Sequence, residues 1–246
     1  FMAGESSEIG TFLEPVGKVT IGQIDPRTLS RQQFDSSNER LFHGASANFA
    51  FDSNFDYQDP SFLKFSIGSF TLGSGFYTVP DKETAAGYSQ VRQFGNKVDL
   101  NILTLLPYQA TMLDLRVKTD NGKNAPVPKE LFEKWQKHYL ENYVTPDIPF
   151  ASEFREEYAE HLQKVSRLPD IDLRVMLWTA ADKRIGDDCY PAPSWSELFS
   201  RFIREEGYDG IIYNEGVEKK NSRESPTYVF YNLGKIGTYE SWQKQK

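Results

Sequence analysis

The sequence predicts one α+β domain with a helical lobe inserted between two groups of strands. Strand-like segments recur in the first half of the chain, around a polar loop over residues 47–66, and two more strands are predicted over residues 208–213 and 227–231. Between them, residues 126–204 carry helical patterns. An order of strands, helices and strands is typical of a mixed domain with an inserted lobe. The length of 246 residues is ample for one well-buried domain and marginal for two.

The strands are predicted where short apolar or β-branched runs end at a glycine or a turn. A turn is expected at Asp25-Pro26-Arg27, and most of residues 5–37 carries no clear pattern. In the first half, strands are predicted over residues 19–21, 40–44, 100–106 and 111–115, and Gly73-Ser74-Gly75-Phe76-Tyr77-Thr78 is interpreted as a tight turn that enters a further strand.

The helices are predicted from capping signals and from apolar residues spaced three and four apart. Thr78-Val79-Pro80-Asp81 is interpreted as a capping box ahead of a helix over residues 82–89. Residues 129–143 and 152–168 each show an apolar stripe, the first through Leu131, Phe132, Trp135 and Tyr139. A third helix is expected over residues 194–206, stopped by Gly207, with these side chains facing inward: Trp195, Leu198, Phe199 and Phe202.

Composition excludes several classes of protein and site. The net charge of −7 argues against a broad nucleic-acid surface, which needs a basic stripe. The single cysteine, Cys189, excludes an internal disulfide and cysteine-based zinc sites, and three dispersed histidines argue against a metal. No apolar run approaches the roughly 20 residues of a membrane-spanning helix, so no membrane partner is expected. Phe1-Met2-Ala3-Gly4 has no basic region followed by an apolar stretch, so no Sec-type signal is expected.

Three segments indicate chemistry rather than packing. Leu41-Phe42-His43-Gly44-Ala45-Ser46 brings a histidine and a glycine to a strand end, where a ligand can meet backbone. Gly75-Phe76-Tyr77-Thr78 sets a tyrosine just before a helix. Two strands joined by a charged loop carry the third motif, Tyr208-Asp209-Gly210-Ile211 followed by Tyr228-Val229-Phe230-Tyr231-Asn232. Each signal is weak alone, but their order along the chain is informative.

In this order the segments resemble the His-Tyr-Glu branch of the ADP-ribosyltransferase superfamily, as in diphtheria-toxin-like and poly(ADP-ribose)-polymerase-like domains. The transferase domains of bacterial toxins and effectors are the nearest in character. The resemblance covers residues 38–116 and 205–240, and it implies a split β-sheet core that binds NAD⁺. The helical block at 126–204 has no counterpart in the family, and we expect it to serve as a target-recognition lobe.

The resemblance also implies roles for individual residues. His43 would hydrogen-bond a ribose hydroxyl of NAD⁺, Gly44 would hold the nicotinamide carboxamide through its backbone, and Tyr77 would stack on the nicotinamide ring. NAD⁺ is expected as a co-substrate, with no metal. The remaining residues expected to line the NAD⁺ site are Ser46, Gly75, Thr78 and Tyr88.

The catalytic acid departs from the family pattern. In the eukaryotic polymerases a glutamate directly precedes the tyrosine of the last strand, and the matching position here is Thr227. Glu224 lies three residues earlier, and a bulge at Ser225-Pro226 would bring it to the ribose. Glu215 is the alternative acid, and Glu218 is a third candidate. The remaining alternative is a site that lacks a catalytic acid.

The resemblance therefore implies a mono-ADP-ribosyltransferase that modifies a protein side chain. It further suggests a virulence effector or toxin, secreted by a non-Sec route and acting on a regulatory protein in a host cytoplasm. One alternative is transfer to nucleic acid or plain NAD⁺ hydrolysis, and the net charge weighs against nucleic acid. Another is a catalytically degenerate module of the same fold that binds a partner protein, which Thr227 favours.

Overall fold

The computed structural model describes residues 17–46, 72–73, 75–89, 100–117, 123–142, 151–181, 195–214 and 226–246. Its strands are β1 Gly17–Ile21, β2 Leu41–Ser46, β3 Phe76–Thr78, β4 Leu100–Pro107, β5 Ala110–Asp114, β6 Gly210–Asn214, β7 Pro226–Phe230 and β8 Ile236–Gly237. Its α-helices are α1 Arg31–Ser36, α2 Lys82–Ser89, α3 Lys129–Asn142, α4 Ala151–Val165, α5 Leu173–Ala181, α6 Trp195–Glu205 and α7 Tyr239–Gln243. Two short 3-10 turns, Pro26–Thr28 and Leu233–Lys235, complete the described elements.

The described strands form two sheets. A five-stranded sheet has the order β1-β5-β6-β7-β3, and a three-stranded sheet has the order β2-β4-β8. The pair β5–β6 is parallel, and the other neighbours are antiparallel. The connection between the parallel strands contains α3 to α6, since parallel neighbours need a long crossover. The prediction of an α+β chain with a helical block between strands is confirmed at this level.

The central strands of the five-stranded sheet, β5, β6 and β7, are buried on both faces because their successive side chains alternate between two cores. On β6, Ile211 and Tyr213 belong to the core shared with the helical block, whereas Ile212 belongs to the core facing the three-stranded sheet. Val229 and Phe230 divide in the same way on β7. The face that carries Val229 also carries Tyr77, its partner on β3.

The predicted apolar stripes of α3 and α6 are confirmed on their described side chains. The four stripe residues of α3, from Leu131 to Tyr139, are buried. On α6, Leu198, Phe199 and Phe202 are at most 2% exposed, while the side chain of Trp195 lies outside those described. Gly207 ends this region with φ of +84°, a left-handed conformation that favours glycine, as predicted.

Three helices lie where none was predicted. The 5-residue helix α7 and the 6-residue α1 are too short for an apolar stripe. Even so, Ser30 and Gln33 form a complete capping box ahead of α1, a signal visible in the sequence. Helix α5 buries Leu173, Met176 and Leu177.

The predicted capping box at Thr78-Val79-Pro80-Asp81 is wrong in its residues, although the helix Lys82–Ser89 is present. Asp81 caps this helix, because its Oδ2 accepts from the Thr84 N–H at 2.9 Å and from the Thr84 hydroxyl at 2.6 Å. The Thr78 hydroxyl instead donates to the carbonyl of Tyr228 at 3.1 Å. The hydroxyl that was expected to cap the helix therefore connects β3 to β7.

Candidate functional site

The candidate site lies where the two sheets meet. Phe42 of β2 and Val79, just after β3, exchange backbone hydrogen bonds of 2.7 and 2.9 Å and form an isolated antiparallel bridge. His43 directly follows this bridge on β2, and Tyr77 precedes it on β3. Two motifs that are more than thirty residues apart in the sequence are therefore brought together.

His43 is buried, with 7% of its surface exposed. Its ring stacks on Phe76 with centroids 4.4 Å apart, and its Nδ1 lies 2.7 Å from the Tyr77 carbonyl oxygen. A carbonyl can only accept, so Nδ1 carries the proton in this bond. Burial lowers the pKa of His43, and the bond to Tyr77 opposes that shift. The ring is therefore neutral near pH 7, with Nε2 as a hydrogen-bond acceptor.

Gly44 presents a backbone donor and acceptor beside this histidine. In an antiparallel strand, the N–H and C=O of one residue point to the same side as those of the residue two positions away. Phe42 directs both groups to Val79, so Gly44 directs its own towards β3 and away from its β4 neighbour Ile102. Among the described residues, no other backbone group forms a hydrogen bond with Gly44 on that side. This edge can both donate a hydrogen bond to a planar amide and accept one from it.

Tyr77 is half-buried, and its hydroxyl is engaged on both sides. It accepts a hydrogen bond from the Leu72 N–H at 3.1 Å and donates to the Gly73 carbonyl at 2.7 Å. Gly73 has φ of +91°, which favours glycine. The hydroxyl thus anchors the turn that enters β3, and the ring remains the part of Tyr77 suited to stacking.

Gly75 has a packing reason to be a glycine. A Cβ at this position would lie 2.6 Å from Val229 Cγ1 and 2.8 Å from Tyr231 Cδ1. The turn can therefore lie directly on β7 only without a side chain here. The contacts with NAD⁺ expected for Gly75 and for Thr78 stay predictions. Those expected for Ser46 and Tyr88 also stay predictions: the structure describes their backbone, in β2 and α2, but not their side chains.

Thr227, at the position where the family carries its acid, is 2% exposed, and its buried hydroxyl has no hydrogen-bond partner among the described residues. It pairs with Tyr213 on β6, and one step further Asn214 pairs with Pro226. The connection from β6 to β7 therefore starts and ends beside Thr227. Glu215, Glu218 and Glu224 belong to this connection and lie outside the described residues.

The Tyr208-Asp209-Gly210-Ile211 motif has a structural role that the sequence reasoning missed. Asp209 Oδ2 accepts from the Thr111 N–H at 2.8 Å, and Oδ1 accepts from the Asn232 amide at 2.7 Å. A Cβ on Gly210 would lie 2.1 Å from the Val229 carbonyl oxygen. The Asp-Gly pair therefore joins β5, β6 and β7, and its appearance in the motif reflects this tight junction.

A partly buried ion pair at the end of β5 was also missed. Arg116 holds Asp114 through two hydrogen bonds of 2.8 and 2.6 Å, which raise the pKa of the guanidinium. The same guanidinium lies over the ring of Tyr228 at 5.6 Å. Tyr228 alternates with Thr227 and Val229 along β7, so this pair is on the sheet face opposite Tyr77. An Asp-x-Arg sequence at a strand end was the available signal.

The described ranges contain neither a membrane-spanning helix nor a metal-binding cluster. None of the helices in them is both long and apolar enough to cross a membrane. No group of three or more His, Cys, Asp or Glu side chains suited to a metal ion occurs in the same ranges.

Comparison with known proteins identified no relative. No family model matches the chain, and neither does any curated protein or solved structure.

Proposed function

We propose that this chain is an NAD⁺-dependent mono-ADP-ribosyltransferase that modifies a protein side chain. The observation that carries the proposal is the edge of Gly44, whose N–H and C=O point towards β3 beside a neutral histidine and a tyrosine ring. A primary carboxamide presents one acceptor and one donor in a plane, so it complements a single residue's N–H and C=O. The motif resemblance to the His-Tyr-Glu transferases supports the same assignment.

In this proposal each residue acts on a different part of NAD⁺. Gly44 holds the nicotinamide carboxamide, and the ring of Tyr77 stacks on the nicotinamide. His43 Nε2, an acceptor because Nδ1 donates to the Tyr77 carbonyl, receives a ribose hydroxyl. Ser46, Gly75, Thr78 and Tyr88 complete the proposed site.

The chemistry needs an orienting cleft and one carboxylate. Cleavage of the bond between nicotinamide and ribose passes through an oxocarbenium-like centre, as in glycoside hydrolysis. A carboxylate stabilises that cation and polarises the ribose hydroxyl. We propose Glu224 as this group and Glu215 as the alternative. Both belong to the connection anchored beside Thr227 by the pairing of Asn214 with Pro226.

The two sheets support a fold proposal of the same kind. A five-stranded and a three-stranded sheet that diverge after the bridge of Phe42 with Val79 are compatible with the split core of ADP-ribosyltransferases. The helical block between β5 and β6 would recognise the target protein. We further propose a host regulatory protein as the target, with the chain acting as a bacterial effector in the host cytoplasm, on the resemblance alone.

A transfer assay with a labelled NAD⁺ analogue in eukaryotic lysate tests this function. It compares the unmodified chain with Glu224→Ala, His43→Ala and, as a control, His161→Ala on α4. We expect a discrete labelled protein band with the unmodified chain and the control, and a loss of at least about a hundredfold in both site variants. No label in any lane, with NAD⁺ left intact, would contradict the proposal. Loss of NAD⁺ without a labelled macromolecule would indicate hydrolysis instead.

Thr227 supports a second candidate, a degenerate module of the same fold that binds a partner protein. A buried threonine at the family's acid position supplies no charge to the reacting ribose. Binding of NAD⁺ without turnover, unchanged in Glu224→Ala and Glu215→Ala, would favour this candidate.

A further inference from the structure

The turn before β3 is held against the sheet by two tyrosine hydroxyls. The Tyr77 hydroxyl accepts from the Leu72 N–H and donates to the Gly73 carbonyl, at 3.1 and 2.7 Å. The Tyr231 hydroxyl donates to the carbonyl of Leu72. Three backbone polar groups of Leu72 and Gly73 are therefore satisfied by these two side chains.

The same turn packs closely on β7 and the residue after it. Leu72 is completely buried, and Gly75 lies so close to Val229 and Tyr231 that a Cβ would overlap both. Tyr231 is itself only 6% exposed, and burial raises the pKa of its hydroxyl, which stays protonated as a donor. The turn, Tyr77 and Tyr231 thus form one closely packed unit on the face of the sheet that carries Tyr77.

We infer that Tyr231 is a positioning residue for the candidate site and acts through this turn on Tyr77. With its hydroxyl tied to Leu72 and Gly73, the Tyr77 ring is confined to one orientation before a ligand arrives. The Tyr231 hydroxyl fixes the position of Leu72, and in this proposal Tyr231 itself does not contact the ligand. A ring fixed in advance loses less conformational entropy when an aromatic ligand stacks on it.

The inference rests on the proposed function for the identity of the ligand. Its specific content is that the two hydroxyls set the affinity for the nicotinamide part of NAD⁺ and leave the affinity for ADP-ribose unchanged. A general loosening of the fold would weaken both ligands together. The two ligands therefore separate a positioning role from a merely structural one.

The test measures the binding of nicotinamide, ADP-ribose and NAD⁺ by calorimetry to Tyr77→Phe, Tyr231→Phe and the double variant. Each single variant keeps its aromatic ring and is expected to bind nicotinamide and NAD⁺ about fivefold more weakly, a change of the size that one ordinary hydrogen bond contributes. ADP-ribose should bind within about twofold of its original affinity. The double variant should be little weaker than either single variant, because both hydroxyls act through the same turn.

Tyr213→Phe is the matched control. Tyr213 lies on the same sheet face, is 3% exposed, and its hydroxyl bonds Asp172 at 3.1 Å in the helical block. Its loss should lower thermal stability to a similar degree and leave nicotinamide binding unchanged. Amide hydrogen exchange at Leu72 in the free protein adds a readout independent of any ligand, and both turn variants should accelerate it.

Several results would overturn the inference. Equal weakening of nicotinamide and ADP-ribose, a similar effect in Tyr213→Phe, or fully additive effects would show a general loss of stability. Faster exchange at Leu72 with unchanged nicotinamide affinity would show that the turn does not govern the site. If the unmodified chain binds none of the three ligands, the proposed function fails as well, which distinguishes that failure from the others.

Discussion

Two buried threonines of the five-stranded sheet show how a single hydroxyl can stabilise or destabilise the fold. Thr78 and Thr227 are 1% and 2% exposed. The Thr78 hydroxyl donates to the Tyr228 carbonyl, whereas no group in the described ranges forms a hydrogen bond with the Thr227 hydroxyl. A buried hydroxyl without a partner loses its bonds to water and gains nothing in return.

Replacement of these residues by valine, which has the same shape, should therefore have opposite effects. Thr227→Val should raise the free energy of unfolding by about 1 kcal/mol, and Thr78→Val should lower it by about 1–2 kcal/mol. Chemical denaturation of both variants measures the difference. A Thr227→Val variant less stable than the original chain would show that its hydroxyl is satisfied in solution.

His43 should make the protein less stable in mild acid. Burial lowers the pKa of His43 in the folded state. Below about pH 6.5 this histidine is therefore protonated in the unfolded chain while it stays neutral in the folded chain. The contribution of neutral His43 to the free energy of unfolding is fully present above about pH 6.5. It is lost as the pH falls towards the lower pKa of His43 in the folded state.

The corresponding measurement is the free energy of unfolding of the original chain and of His43→Gln between about pH 7 and pH 5. The original chain should lose more stability over this interval than the variant. His161, whose pKa burial also lowers, contributes in the same direction, and His161→Gln measures its share. Equal slopes for the original chain and His43→Gln would contradict the neutral, buried state of His43.

At the scale of elements, Asp209 joins three strands. Besides the two bonds to its carboxylate, its N–H donates to the Thr111 carbonyl at 2.6 Å, and its own carbonyl accepts from the Tyr231 N–H at 2.8 Å. The strands β5, β6 and β7 are therefore tied together at the end opposite the connection that carries Glu215 and Glu224.

Asp209→Ala should destabilise the protein by about 2–4 kcal/mol, because it leaves the Thr111 N–H and the Asn232 amide without their charged acceptor. Asp170→Ala, at an exposed position before α5, should change the stability by less than about 0.5 kcal/mol. Thermal and chemical unfolding of the two variants provide the comparison. A similar small effect in both would contradict the joining role of Asp209.

The sequence predicted elements best where the pattern was long and local. The stripes of α3 and α6 mark helices because their apolar residues recur on one face. The sequence of α5 is apolar along most of its length, so it shows no such contrast between one helix face and the other. The role of the Thr78 hydroxyl was not predictable either, because its acceptor, the Tyr228 carbonyl, lies 150 residues away in the chain.

At the scale of the whole molecule, the order of motifs anticipated which segments would meet. His43 and Tyr77 do come together, at 2.7 Å between the imidazole Nδ1 and the Tyr77 carbonyl. The direction of the Gly44 backbone groups follows only from the bridge between Phe42 and Val79, which no local pattern encodes. The anchoring of the turn by Tyr231 likewise depends on contacts between distant segments.

The central claim is that the Gly44 edge receives the carboxamide of NAD⁺. Isotope labelling of the 17 glycines, with Gly44→Ala to assign one signal, allows that amide to be followed during titration with NAD⁺ and with nicotinamide. We expect the Gly44 amide proton to shift downfield on saturation with either ligand, as a new hydrogen bond forms. An unmoved Gly44 signal at saturating NAD⁺ would contradict the claim and the site built on it.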